Sequence, residues 1–231
     1  MNPRKLTLYE EILLLALDDE KGTTPMESMF RNAMGGAILA ELILEGALRV
    51  DDDKKRRVHP VPAARVDDAI LAECLELVRE KEKPRAASTW VTKFAGLKQL
   101  KERAARQLVD RGVLSEEEGR VLKIFKRTLF PERDGGPERD LRERMEKAIF
   151  TYSSEIESRT VIIVVLAKAT GMLDKVFDKK RLKEQKQRIE DLMSGQVVGK
   201  ATQEAVEATQ AAVIAAVFVC TMVPVITTTS S

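Results

Sequence analysis

Ala37-Ile38-Leu39-Ala40-Glu41-Leu42-Ile43-Leu44, with Gly46 two residues beyond, decides the fold. Wound as a helix, this stretch is apolar on nearly every side except at Glu41, which is the signature of a helix that crosses the middle of a domain. The helical pattern reaches back to about Glu27, and Gly46 stops it after Glu45. The rest of the composition agrees. In 231 residues, hydrophobic side chains make up 44% and charged ones 33%, enough for a sizeable core, while aromatics are only 4%. Leu, Ala, Val and Ile among many Glu, Lys and Arg favour packed helices and argue against an all-β or disordered chain. The 39 Lys and Arg against 37 Asp and Glu leave a net charge of +2, so bulk charge names no partner.

Upstream, Thr7-Leu8-Tyr9-Glu10 has the form of a capping box and predicts a helix whose apolar run is Ile12 to Leu17. Downstream, Leu48-Arg49-Val50 and Val58-His59-Pro60-Val61 flank Asp51-Asp52-Asp53-Lys54 as a small hairpin. Helices are expected from about Asp67 to Lys81 and from Ala86 to Ala95, parted by Pro84. A basic helix follows, ending in Asp110-Arg111-Gly112-Val113-Leu114, which repeats the outline of Leu44-Glu45-Gly46-Ala47-Leu48. Ser115 to Gly119 is expected as a turn or a capped helical turn, and a second hairpin is expected before Pro137. Helices are then expected near Glu138–Thr151, Glu155–Ala169, Lys180–Met193 and Thr202–Val223. The uncharged stretch Ala211 to Ile226 falls short of the roughly 20 residues a membrane span needs, and Thr221 and Pro224 interrupt it, so it is expected as a buried helix. The expectation is one mainly α domain over residues 1–226, built on a central apolar helix bundle surrounded by amphipathic helices. It carries one or two small β-hairpins and a disordered tail at Thr227–Ser231.

Enzyme signatures are mostly absent. His59 is the only histidine and cannot by itself assemble a base with its orienting partner. There is no phosphate-binding GxxxxGK[ST] loop and no GxGxxG after a strand. Asp18-Asp19-Glu20 and Asp51-Asp52-Asp53 lie beside lysines or at helix ends and are expected as solvated termini, so no metal or cofactor is expected. Cys74 and Cys220 lie far apart in apolar surroundings, as buried thiols in a reducing compartment, and no secretory signal precedes Leu6. Gly35-Gly36 inside the second helix fits close helix packing.

The informative feature is local. From Lys93 to Arg111, six cations face only Glu102 and Asp110. With Leu97, Leu100, Ala104 and Leu108 as the inward stripe of one helix, Lys98 and Lys101 share another face, where one anionic head group could bridge them. A solvated helix face is the plain alternative. Basic helix, glycine and hairpin are also the outline of a winged-helix nucleic-acid binder, but the near-neutral charge and a pI of about 8.5 argue against it.

Leu6-Thr7-Leu8-Tyr9-Glu10-Glu11-Ile12-Leu13-Leu14-Leu15-Ala16-Leu17-Asp18-Asp19-Glu20-Lys21-Gly22 resembles the opening of the Golgi phosphoprotein family, readers of phosphatidylinositol 4-phosphate that include the vacuolar-sorting adaptor. Ala37 to Leu42 with Gly46, Trp90-Val91, and Arg103 to Leu114 are similar in the same order. The resemblance implies a mostly helical domain that binds a lipid phosphate beside a membrane-dipping hairpin. The family uses a Trp and an Arg near the start of the second helix and two Arg on the ridge helix. The ridge pair falls on Lys98 and Lys101, the Trp on or near Met26, and the remaining Arg on Gly35; Arg31, one turn earlier, offers a replacement charge. A cytoplasmic protein peripheral at an anionic membrane follows, holding the cytosolic tails of membrane proteins, with no nucleic acid as partner. The basic N-terminal arm of longer members, which recruits vesicle coat, is not expected here.

Overall fold

Thr7 opens the first helix as its sequence requires. Its hydroxyl accepts from the Glu10 amide at 3.4 Å while the Glu10 carboxylate accepts from the Thr7 amide at 2.8 Å. The computed structural model describes residues 5–17, 27–51, 56–121, 125–151 and 156–194. The expected helix Thr202–Val223 with Ala211–Phe218, the tail Thr227–Ser231, Met26 and Cys220 all lie outside them.

Helix α1 (Leu8–Ala16) is buried along its whole length, and α2 (Glu27–Leu44) buries an unbroken run from Ala33 to Leu42. The sheet strands β1 (Leu48–Val50) and β2 (Arg57–Pro60) follow, then α3 (Ala69–Arg79), the short β3 (Arg85–Ala86) and α4 (Ala87–Ala95). Next come α5 (Leu100–Asp110), the hairpin strands β4 (Glu117–Val121) and β5 (Phe125–Leu129), and α6 (Gly136–Phe150). The remaining helices are α7 (Ser158–Ala169), α8 (Leu173–Val176), α9 (Lys179–Glu184) and α10 (Lys186–Ser194). Together they form one mainly α domain around a continuous core. Helices α1, α2 and α7 are its centre, since Val161 to Ala167 is buried as completely as the middle of α2. Each fully buried Leu or Ile there stabilises the fold by about 1.5–3 kcal/mol.

Glu41, the one charge in the apolar run, explains how these helices lock together. Its Oε2 accepts from the Leu8 amide at 2.6 Å, answering an orphan donor in the first turn of α1. Arg159 of α7 grips the same carboxylate from the other side at 2.6 and 3.0 Å and also donates to the Leu6 carbonyl at 2.7 Å. A two-toothed guanidinium grip of this kind is among the stronger hydrogen-bonded pairs.

The alike helix ends are the same device. Gly46 and Gly112 both take positive φ, at +69° and +75°, and the next amide in each reaches back to close the cap: Ala47 to Leu42 at 2.8 Å and Val113 to Leu108 at 2.9 Å. The first cap delivers the chain into the antiparallel sheet β1-β2-β3. One face of that sheet carries Arg49, Arg57 and His59, with Arg49 directly across from His59, whose Nε2 lies 2.8 Å from Asp51. Strand β3 has only two residues and was not expected.

Three other expectations need correction. The residues around Glu117 to Gly119 are strand, not turn: β4 pairs with β5 from Glu117↔Leu129 to Val121↔Phe125. The expected Lys180–Met193 helix is divided at Gln185. Most important for function, the basic ridge is not one helix. In a continuous helix the Ala95 carbonyl would accept from the Gln99 amide; here it accepts from Arg31 Nε at 3.0 Å, and Gln99 is left-handed at φ +52°. Lys98 therefore lies in the turn between α4 and α5, and only Lys101 is helical.

Candidate functional site

That break creates a cavity. The turn from Gly96 to Gln99 and the first residues of α5 face Phe30, Arg31 and Met34 of α2 across about 200 Å³. Arg31, Lys98 and Lys101 all line it, so the three cations singled out from the sequence meet, though through a turn and not through helical spacing. Glu102 is the one carboxylate among the lining residues. The floor is supplied by Phe30, Met34 and Leu100, each buried or nearly so.

The local backbone adds to the charge. No side chain caps the amino end of α5, and its first amides are orphan donors at the positive end of the helix dipole. Such an end favours an anion. Arg31 is held in place by its bond to the Ala95 carbonyl, so the residue that finishes α4 also lines the cavity.

Elsewhere the ridge is largely neutralised. Arg103 pairs with Glu73, Arg106 with Glu116 at 3.4 Å, and Arg111 with Glu10 at 2.9 Å. Lys93 lies 5.5 Å from the centre of the Trp90 ring. The long basic face expected of a nucleic-acid reader is thus broken into ion pairs.

Gly35 does not belong to this cavity. A Cβ built on it would stand 2.3 Å from the Val91 carbonyl oxygen and 2.9 Å from the Ala95 amide, so it is a contact residue between α2 and α4. The packing reading holds at Gly35, and an arginine there has no room. Met26 lies outside the described residues.

The sequence model of Golgi phosphoprotein 3 (GPP34) matches residues 8–209. The chain belongs to this family. A curated relative, the vacuolar protein sorting-associated protein 74 of Eremothecium gossypii, is 27% identical over 205 residues, covering 74% of this chain and 61% of its own length. The chain thus spans about three fifths of the relative it matches. Both names are those of Golgi or sorting proteins, and neither is that of a catalytic family. No helix among the described residues is long and apolar enough to cross a membrane.

Against this Golgi phosphoprotein background, the sequence missed two contributors to the cavity: the uncapped start of α5 and Glu102. Gly96 was the available signal, since a glycine one residue past Ala95 marks a helix end.

Proposed function

We propose that this domain is a non-enzymatic peripheral membrane protein that binds an anionic phospholipid, phosphatidylinositol 4-phosphate or a related head group, in the cavity lined by Arg31, Lys98 and Lys101. The observation that carries the reading is the convergence of these cations, from two distant stretches of chain, on the uncapped amino end of α5. At about 200 Å³ the cavity is smaller than the roughly 300–1,000 Å³ of pockets that engulf a ligand, which suits a phosphorylated head group with its acyl chains left in the bilayer. Two lysines in place of the family's paired arginines keep the charge and lose the planar fork, so binding leans on electrostatics more than on geometry. In this reading the domain also holds cytosolic tails of membrane proteins at that surface, on the cytoplasmic side of the membrane.

Flotation with phosphatidylcholine vesicles, with and without phosphatidylinositol 4-phosphate, tests it. Binding to the anionic vesicles should fall as salt rises, because charges beyond about 8–10 Å are screened. Each lysine near such a surface contributes about 1 kcal/mol, so Lys98→Glu with Lys101→Glu should weaken binding at least about 30-fold. Equal binding to neutral vesicles, or an unaffected double variant, removes the proposal.

A further inference from the structure

Among the side chains around the cavity of Arg31, Lys98 and Lys101, Glu102 alone has the wrong sign for an anion. It stands third in α5, as Glu10 stands third in α1. In α1 that carboxylate turns back on its own helix and accepts from the Thr7 amide at 2.8 Å, the ordinary use of an acid at this position. The arrangement needs an extended residue ahead of the helix. Thr7 is extended, whereas Gln99 is left-handed at φ +52°. Glu102 accordingly makes no hydrogen bond or ion pair among the described residues, although it is only half-buried and three cations line the same cavity.

Charge and hydrogen bonding specify what this carboxylate meets. Three cations against one carboxylate leave an excess of two positive charges, and a phosphomonoester carries about −1.5 to −2 at pH 7. The cavity therefore neutralises one such group and not a second. An ionised carboxylate can only accept hydrogen bonds, so the ligand atom beside Glu102 must belong to a donor. On an inositol ring phosphorylated once, the carbons flanking the phosphate carry hydroxyls, which donate. In the 4,5-bisphosphate one of those places holds another phosphate, which Glu102 repels. A site that discourages the wrong ligand in this way gains discrimination without tightening its hold on the right one.

We propose that Glu102 is a specificity-determining residue of the cavity: its carboxylate accepts from a ring hydroxyl beside the bound phosphate and excludes a second phosphate from that place, so that a monophosphorylated inositol head group is selected over the 4,5-bisphosphate. The proposal rests on the lipid-binding reading of the same cavity and adds to it the residue that chooses among head groups.

Flotation with phosphatidylcholine vesicles carrying either phosphatidylinositol 4-phosphate or the 4,5-bisphosphate, at matched lipid charge and fixed ionic strength, tests it. The parent should prefer the monophosphate. Glu102→Gln should lower that preference at least about fivefold, mainly by gaining on the bisphosphate, which is the scale of one like-charge contact at about 4 Å in bulk water. Glu102→Ala removes the acceptor as well as the charge. It should lower the preference for phosphatidylinositol 4-phosphate over phosphatidate, whose phosphate has no ring hydroxyl beside it, at least about fivefold. A monophosphate-to-bisphosphate ratio that is the same in the parent and Glu102→Gln, or a preference over phosphatidate that survives Glu102→Ala, overturns this proposal and leaves the lipid reading standing. A parent that binds neither phosphoinositide overturns both.

Discussion

Gly35→Ala pits two physical effects of opposite sign against each other. Helix propensity alone makes alanine better than glycine inside a helix by about 1 kcal/mol, so an exposed site would gain stability. Position 35 is not exposed. The new methyl would lie 2.3 Å from the Val91 carbonyl oxygen and 2.9 Å from the Ala95 amide, where ordinary contact begins near 3.4 Å. Both neighbours are backbone, so no rotamer change relieves the clash, and α2 and α4 must separate by about 1 Å. A gap of that size forfeits a quarter to a half of the dispersion energy along the contact. Overpacking of this kind costs about 1–3 kcal/mol, and the rigid partners place it at the upper end. Net of propensity, the loss should be about 2 kcal/mol, a Tm lowered by about 4–8 °C for a chain of this size. Urea and thermal denaturation measure it directly. Because the same separation loosens the bond from Arg31 to the Ala95 carbonyl, vesicle binding should weaken in parallel. A variant as stable as the parent, or more so, would refute the argument, since it would leave propensity as the only operating effect.

Three further outcomes are expected. Replacing Lys98 and Lys101 by arginine should tighten binding to vesicles carrying phosphatidylinositol 4-phosphate more than to vesicles carrying only phosphatidylserine, since the planar fork rewards a phosphomonoester; equal gains on flotation would contradict this. Glu41→Ala should cost up to about 3 kcal/mol in urea denaturation, because it leaves the partly buried Arg159 with only the Leu6 carbonyl and the Leu8 amide with no acceptor, and adding Arg159→Leu should recover part of the loss. Burial holds the Glu11 carboxyl above its ordinary 4.5, so the folded state binds that proton more tightly than the unfolded one. Its stabilising share is complete below about pH 4.5 and is lost as pH rises through the folded value, so the urea midpoint of Glu11→Gln should gain on that of the parent as pH is raised from 4.5.

Local chemistry was legible in the sequence wherever one segment determined it. The Thr7 capping box and the two glycine caps depend on residues within five positions of each other, and all three form as read. Glu41 could be recognised as an exception but not explained, because its partners are 33 and 118 residues away. The cavity was only half legible for the same reason. Arg31, Lys98 and Lys101 were identified by charge and resemblance, while the helix assumed to join the lysines is interrupted by a guanidinium 64 residues upstream that takes the Ala95 carbonyl. Gly35 was ambiguous in sequence, since an absent side chain can admit either a ligand or a neighbouring helix. Only the position of α4 decides which.

The antiparallel pairing of α2 and α4 also has an electrostatic consequence. The cavity proposed for the lipid head group sits where α2 begins and α4 ends, and the sheet face bearing Arg49, Arg57 and His59 sits where α2 ends and α4 begins. From Arg31 to Leu44 the helix rises about 20 Å, more than two Debye lengths at physiological ionic strength. The charged groups at the two places therefore act on a membrane separately. The slope of vesicle binding against salt counts the cations at one end of the molecule and is blind to those at the other.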